Sequence, residues 1–104
     1  MKLKVYATDE GRVPFVDWFD GLGGSFRRAV QRRLRAIEDN DHLGHSKSLR
    51  DGLFELKFRQ PIRIYFAKTG SQVVLLLGGS SKDNQNREIA KARRRLNDFR
   101  QRTR

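Results

Sequence analysis

The sequence has 104 residues, and its 23 Lys and Arg against 12 Asp and Glu give a formal net charge of +11 at pH 7. The length suits one domain, and no apolar run approaches the roughly 20 residues that a membrane-spanning helix needs. The absence of cysteine excludes disulfides and thiolate chemistry, and the N-terminus shows no secretory signal. We therefore expect a single cytoplasmic domain over residues 1–104 that binds a polyanion and does not associate with membranes.

Hydrophobic periodicity predicts one strand and then two helices in the first half of the chain. Residues 3–7 alternate as a strand does, and Pro14 begins a helix whose apolar residues recur at helical spacing. The GLGG segment (21–24) ends this helix, and Ser25 is a candidate N-cap for the next one. That second helix has one apolar stripe, and its remaining positions form a basic face that is either nucleic-acid-facing or solvated: Arg27, Arg28, Arg32, Arg33 and Arg35.

The second half predicts a loop, three strands and a final helix. Residues 39–48 have loop composition, and residues 54–66 alternate as a hairpin that turns around Pro61. A nearly continuous apolar run at 72–78 is typical of a strand covered on both faces. The last helix has a narrow apolar stripe and two candidate caps, Ser81 and Asp83. We expect an α+β fold in the order β-α-α-β-β-β-α, with the helical hairpin on one sheet face and the other face open.

The predicted hairpin has one apolar and one charged face. The apolar face holds Phe54, Leu56, Phe58, Ile62, Ile64 and Phe66, and the charged face holds Glu55, Lys57, Arg59, Arg63 and Tyr65. With a turn at 59–61, Lys57 lies opposite Arg63 and Glu55 lies opposite Tyr65. Two facing cations destabilise a sheet unless an anion lies between them. The charged face is therefore a candidate phosphate site, and an ordinary solvated face is the alternative interpretation.

Further cations flank the hairpin. Lys47 and Arg50 precede it, and Lys82 follows a GGSS segment whose backbone N–H groups are suited to a phosphate. His42 and His45 also lie in the preceding loop, but they have no third ligand nearby. We predict that they are surface or capping histidines, and the sequence indicates neither a metal site nor a cofactor.

Four segments together carry a resemblance to a known family: PFVDWFDGL (14–22), KSLRDGLFELKF (47–58), IRIYF (62–66) and VVLLLGGSSKDNQNREIAKA (73–92). They resemble the RelE/ParE superfamily of type II toxin–antitoxin toxins. The chain is most similar to the HigB-like addiction module killer branch, which is related to phage-derived toxin-like proteins. The resemblance implies a small twisted antiparallel sheet with a helical hairpin on one face and an open concave face opposite.

The same resemblance implies an activity and partners. The implied activity is metal-independent, ribosome-dependent cleavage of mRNA, in which a 2′-hydroxyl attacks the adjacent phosphate and leaves a 2′,3′-cyclic phosphate. The implied partners are the ribosome, mRNA and a cognate antitoxin, often a helix-turn-helix protein, with the toxin monomeric or in a toxin–antitoxin hetero-oligomer. Two alternatives stay open: a ParE-like inhibitor of DNA gyrase and a non-catalytic RNA- or ribosome-binding relative.

Matched residue by residue, the resemblance also implies roles for the candidate site. Arg63 would stabilise the scissile phosphate, Lys57 would favour the 2′-alkoxide, and Lys82 would assist phosphate or leaving-group chemistry. Glu55 would act as a base or as an orienting group. The implied RNA contacts are Lys47, Arg50, Arg59 and Tyr65. Some family members use a Tyr or His late in the chain as the acid, and this sequence has neither after Tyr65.

Overall fold

The computed structural model describes residues 1–103, in which five strands and three α-helices follow the predicted order. The elements are β1 (Lys2–Val5), α1 (Pro14–Asp20), α2 (Gly24–Asn40), β2 (Ser46–Ser48), β3 (Leu53–Lys57), β4 (Ile62–Thr69), β5 (Val73–Ser81) and α3 (Gln85–Arg102). A 3₁₀ turn at Lys82–Asn84 leads into α3. Sequence reasoning placed residues 46–48 in a loop, whereas they form β2, a short edge strand.

The strands form one sheet in the order β1-β5-β4-β3-β2. Neighbouring strands are antiparallel except for β1, which pairs parallel to β5. The predicted hairpin register is confirmed, because Lys57 pairs with Arg63 and Glu55 pairs with Tyr65. A bulge follows on β5, where Tyr65 pairs with Gly78 and the next residue of β4 pairs with Leu76.

The helical hairpin of α1 and α2 packs on one face of the sheet. Its contacts join helix residues such as Phe15, Val30 and Ile37 to the apolar side of the β3–β4 hairpin and of β5. Trp18 packs directly on Gly79, where an added Cβ would overlap the indole ring. Pro14 begins α1 as predicted. The N-cap of α2 is Gly23 and not Ser25, and α3 is preceded by Asn84 instead of the candidate caps Ser81 and Asp83.

The opposite face of the sheet is covered by α3, so the expectation of an open second face is wrong for most of its length. Ala92 and Leu96 of α3 pack on apolar side chains of the sheet: Leu53, Tyr65, Ala67, Leu75 and Leu77. These side chains would lose their shielding from water if α3 were absent. None of the helices within residues 1–103 is long and apolar enough to cross a membrane.

Arginines fasten α3 to backbone carbonyls of the sheet and of the turn before β3. Arg93 donates to the carbonyl of Leu49 at 2.9 Å, and Arg95 donates to that of Leu77 at 3.0 Å. Burial lowers the pKa of Arg95, which nevertheless keeps its charge at neutral pH. Hydrogen bonds from a cation to a carbonyl are stronger than neutral ones, so they help to hold α3 in place.

Removing the α3 contact with the sheet should destabilise the protein strongly. Leu96 is 2% exposed, so Leu96→Ala should lower the free energy of unfolding by about 2–5 kcal/mol. The matched control is Asn97→Ala at the exposed neighbouring position, with an expected change within about 0.5 kcal/mol. Urea unfolding followed by circular dichroism measures both values. Equal, small effects would mean that α3 does not pack on this face.

Candidate functional site

Arg63 lies at the end of the sheet beyond the start of α3, between Lys57 on β3 and Ser80 on β5. Its side chain is only 11% exposed. One terminal nitrogen, Nη1, donates to the carbonyl of Ile62 at 2.7 Å. The Nε–H group has no hydrogen-bond partner within residues 1–103. A buried donor without a hydrogen bond is unfavourable, and the nearby carboxylate of Glu55 offsets part of that cost.

Glu55 lies beside this arginine and is 2% exposed. Its Oε1 atom is 3.6 Å from Nε of Arg63, which is an ion-pair distance but too long for a hydrogen bond. The same oxygen accepts a 2.5 Å hydrogen bond from the side-chain amide of Gln85, the first residue of α3. Glu55 therefore joins the start of α3 to the guanidinium group. This position suits an orienting role better than removal of a proton from a solvent-side hydroxyl.

Tyr65 is fully buried beneath α3, so it presents no surface to RNA in this conformation. Its hydroxyl lies 2.8 Å from Oγ of Ser80, and that Oγ donates to the carbonyl of Ser81 at 2.9 Å. Because a serine hydroxyl has one hydrogen, Tyr65 must be the donor to Ser80. Burial raises the pKa of the Tyr65 phenol above its ordinary value of 10.0, which keeps it a donor at neutral pH. Tyr65 thus supports the interior of the site.

The structure brings three further predicted cations to the same end of the sheet. Lys57 is half-buried opposite Arg63, and Arg59 is exposed in the turn that follows. Lys82 is exposed, and its backbone N–H donates to the carbonyl of Pro61 in that turn at 2.9 Å. We call Lys57, Arg59, Arg63 and Lys82 the cationic end. Within the described chain its three partly or fully exposed members form no ion pair, so their charge is available to an anion.

The other two predicted RNA contacts lie away from Arg63. Lys47 is exposed on the edge strand β2, where it pairs with Glu55. Arg50 lies in the turn before β3, at the opposite end of that strand from Lys57. The four steps from Leu53 to Lys57 correspond to about 13 Å along the strand. Its φ of 76° is left-handed, and its carbonyl accepts from Arg93 at 3.3 Å. The structure therefore does not bring Arg50 to the cationic end.

Sequence reasoning missed a residue that fixes the end of β3. Arg33 was assigned to a basic helix face, but its guanidinium donates to three carbonyls, those of Leu43, His45 and Lys57, at 2.7–2.9 Å. It also lies 4.9 Å above the ring of Phe58. Burial lowers the pKa of Arg33 without removing its charge at neutral pH. Because Arg33 holds the backbone carbonyl of Lys57, it fixes the position from which the Lys57 side chain extends.

The two histidines of the preceding loop are exposed, as predicted for His42 and His45. Across residues 1–103 no three His, Cys, Asp or Glu side chains are grouped as a metal site requires. The backbone carbonyl of His45 is already used, since it accepts from the N–H of Lys57 at 2.9 Å.

The fold over residues 1–103 is that of a small α+β protein with three α-helices and a five-stranded sheet. The sequence profile of the phage-derived protein Gp49-like family (DUF891) matches residues 17–97, and the chain belongs to that family. The match extends from α1 into α3 and includes every residue of the cationic end. No curated protein matches the sequence. Membership in a toxin-like family indicates an antitoxin partner.

Loss of the Arg33 contacts should destabilise the end of β3. Arg33→Ala leaves three carbonyls without their charged donor, so we expect the free energy of unfolding to fall by about 2–3 kcal/mol. The control is Arg32→Ala, because Arg32 is exposed on the same helix and alanine favours helix formation. The control should change stability by less than about 0.5 kcal/mol. Thermal and urea unfolding decide the matter, and equal values for the two variants would contradict the bridging role.

The raised pKa of Tyr65 predicts a pH dependence. The unfolded chain releases the phenolic proton of Tyr65 near pH 10 and the folded chain at higher pH, so the contribution of Tyr65 to stability is constant below about pH 10 and falls above it. Tyr65→Phe should lower stability by about 1 kcal/mol at pH 7 through loss of the bond to Ser80. Above pH 10 the difference from the wild type should narrow, because phenylalanine has no proton to lose. Urea unfolding of both proteins from pH 7 to above pH 10 measures this difference in the free energy of unfolding. A difference that does not change with pH would contradict the prediction.

Proposed function

We propose that this protein is the toxin of a type II toxin–antitoxin system, of the HigB-like branch, and acts in the cytoplasm as a metal-independent, ribosome-dependent endoribonuclease. The observation that carries the proposal is the cationic end, whose Lys57, Arg59 and Lys82 are cationic donors that form no ion pair within residues 1–103 and lie beside Arg63. A phosphate oxygen is the ligand that such a charge-assisted donor binds best. The net charge of +11 favours a polyanionic substrate.

The chemistry requires that a 2′-oxygen attack the adjacent phosphorus while the bond to the 5′-oxygen breaks. The 2′-hydroxyl loses its proton, the 5′-oxygen gains one, and the products are a 2′,3′-cyclic phosphate and a 5′-hydroxyl. In our proposal Arg63 binds the non-bridging oxygens and Lys57 stabilises the developing 2′-alkoxide. Lys82, on the neighbouring 3₁₀ turn, stabilises the leaving oxygen. Positioning and fixed positive charge supply most of the stabilisation in such a reaction.

Glu55 acts as a positioning residue in this proposal. Its carboxylate is held by Gln85 and faces the Nε edge of Arg63 from 3.6 Å. A nearby negative charge keeps the guanidinium in place on the site side of the sheet. Arg59 and Lys47 are exposed and are proposed as backbone contacts of the RNA, whereas Tyr65 and Arg50 are no longer proposed as contacts.

A second candidate function is non-catalytic binding of RNA or the ribosome. It is favoured by the burial of Glu55 and Tyr65, because a general acid or base must reach the proton that it transfers. The same cations would then hold RNA without cutting it. The absence of a Tyr or His after Tyr65 favours the gyrase alternative. The grouping of Lys57, Arg63 and Lys82 argues against it, and the experiment below separates all three functions.

We also propose a partner that covers the cationic end. The chain carries 23 basic residues against 12 acidic ones, so an acidic surface would bind it tightly. A cognate antitoxin of helix-turn-helix type, bound in a toxin–antitoxin hetero-oligomer, would block the access of mRNA to Arg63.

The decisive experiment is mapping of mRNA 5′ ends after brief induction of the protein. The wild type should create new ends in register with codons. Arg63→Ala should abolish them, and Lys57→Ala should reduce them by about 10²–10³-fold, the usual loss for one transition-state donor. Lys68→Ala, at an exposed cation on the far half of β4, is the matched control and should cleave normally.

Other outcomes have defined meanings. Translation arrest without new ends would refute the nuclease and favour the binding protein, whereas DNA-damage signalling would favour gyrase. Because Arg63 is buried, Arg63→Lys is a second variant that keeps the charge but loses the planar guanidinium. It should fold normally and still lose most cleavage.

A further inference from the structure

A second basic concavity lies between α2 and the β3–β4 turn, on the side of the molecule that holds the helical hairpin. Two adjoining cavities of about 410 and 340 Å³ share Arg32 and Gln60 and so form one continuous groove. We call it the α2 groove, and its polar lining includes Arg28, Gln31, Arg32, Arg35, Arg59 and Gln60.

The charges of the α2 groove are arginines without a compensating carboxylate. No Asp or Glu lines either cavity, and none of Arg28, Arg32, Arg35 and Arg59 forms an ion pair within residues 1–103. Like charges at this spacing on one helix face repel each other. The planar fork of arginine binds phosphate oxygens in pairs, so a phosphate backbone would relieve that repulsion.

The groove is less suited to a protein partner. Protein interfaces have an apolar centre with aromatic anchors in well-packed pockets. The large apolar side chains that are most exposed within residues 1–103 are Val5 and Val16, and neither lines the groove. Phe58 does line it, but the guanidinium of Arg33 lies over the ring at 4.9 Å. Gln31 and Gln60 add neutral hydrogen-bonding groups, which suit a polar backbone.

The groove continues into the cationic end through a single turn. Arg59 belongs to both surfaces, and Lys57 comes two residues before it. Pro61 in the same turn accepts the hydrogen bond from the backbone N–H of Lys82. An RNA strand that leaves the cationic end across this turn would therefore reach the arginines of α2 next.

We propose that the α2 groove binds the phosphate backbone of RNA at a segment separate from the one at the cationic end. The inference rests on the proposed function in taking RNA as the polyanion, but it does not require cleavage. The same phosphate chemistry could come from the single-stranded mRNA or from a duplex region of ribosomal RNA, so both are probed.

The test measures binding of a fluorescent single-stranded RNA oligonucleotide and of an RNA hairpin at several salt concentrations. The variant is Arg32→Ala/Arg35→Ala, and the charge-matched control is Lys2→Ala/Arg94→Ala, with both positions exposed and outside the groove. Each phosphate contact contributes about 0.7 to the slope of log K against log salt for single strands. The groove variant should lose about 1.4 from that slope, and the control should keep it. A larger loss of affinity for the single-stranded oligonucleotide in the groove variant would identify mRNA as the ligand of the groove. A larger loss for the hairpin would identify duplex ribosomal RNA.

Two results would overturn the inference. One is an equal loss for the groove variant and the control, which would mean that only net charge matters. The other is displacement of the RNA by polyglutamate at lower charge concentration than by unlabelled RNA, which would make the groove an acidic-peptide surface. Unfolding curves establish that the variants are folded. If the wild type never produces new mRNA ends but the groove variant still loses its salt slope, the nuclease proposal fails and the groove inference stands.

Discussion

The structure depends on the burial of the central strands β4 and β5 on both faces. Six successive residues of β4, from Ile62 to Ala67, are buried, and so are seven of β5, from Val74 to Ser80. One helix layer cannot exclude water from both sides of such strands, so α3 must return over the face that α1 and α2 leave exposed. The polar cluster around Arg63 exists because α3 begins just short of the end of the sheet. Past the start of α3, toward this end of the sheet, the buried side chains are polar: Glu55, Arg63 and Ser80.

Much of this could be predicted from the sequence. The alternation through residues 54–66 and the position of Pro61 were enough to predict the hairpin register, which in turn paired Lys57 with Arg63. The apolar run of β5 correctly indicated cover on both faces. A strand covered on both faces conflicts with the prediction of an open second face, and it is the open face that was wrong. The covering helix α3 was hard to recognise because its apolar stripe is narrow, with only Ala92 and Leu96 buried.

The parts that could not be predicted depend on tertiary contacts. Alternation assigns Glu55 and Tyr65 to a face but does not state whether that face meets water or a helix. Arg33 has the same local sequence context as its neighbour Arg32, and only the approach of residues 43–45 distinguishes a buried bridge from an exposed side chain. The sequence did contain one indication, the glycine at position 44. In the structure Gly44 has a φ of 73°, and its missing Cβ leaves room for the Arg33 guanidinium. The strand β2 was missed because Ser-Lys-Ser has little intrinsic preference for a strand.

Two groups of arginines in this chain have different consequences for charge. Arg33, Arg93, Arg95 and Arg100 donate to backbone carbonyls and so bind the helices to the turns and strands. The second group faces water: Arg59 at the cationic end, and Arg28, Arg32 and Arg35 in the α2 groove. A high net charge is compatible with a compact fold here because part of it satisfies peptide oxygens that would otherwise need water. Composition alone overstates the number of cations available to an anion.

The parallel pairing of β1 with β5 has a consequence for the order of folding. Lys2 pairs with Val73, which follows it by 71 positions, and the amino group of Met1 contacts the carbonyl of Ile37 at 3.2 Å. The hairpin of β3 and β4 closes a short loop, whereas β1 must close a long one, which is entropically the more expensive step. During synthesis the N-terminal strand waits without a partner until β5 is made. The sheet is thus assembled outward from its local hairpin, and β1, although it precedes the other strands in the chain, is among the last to reach its native neighbour.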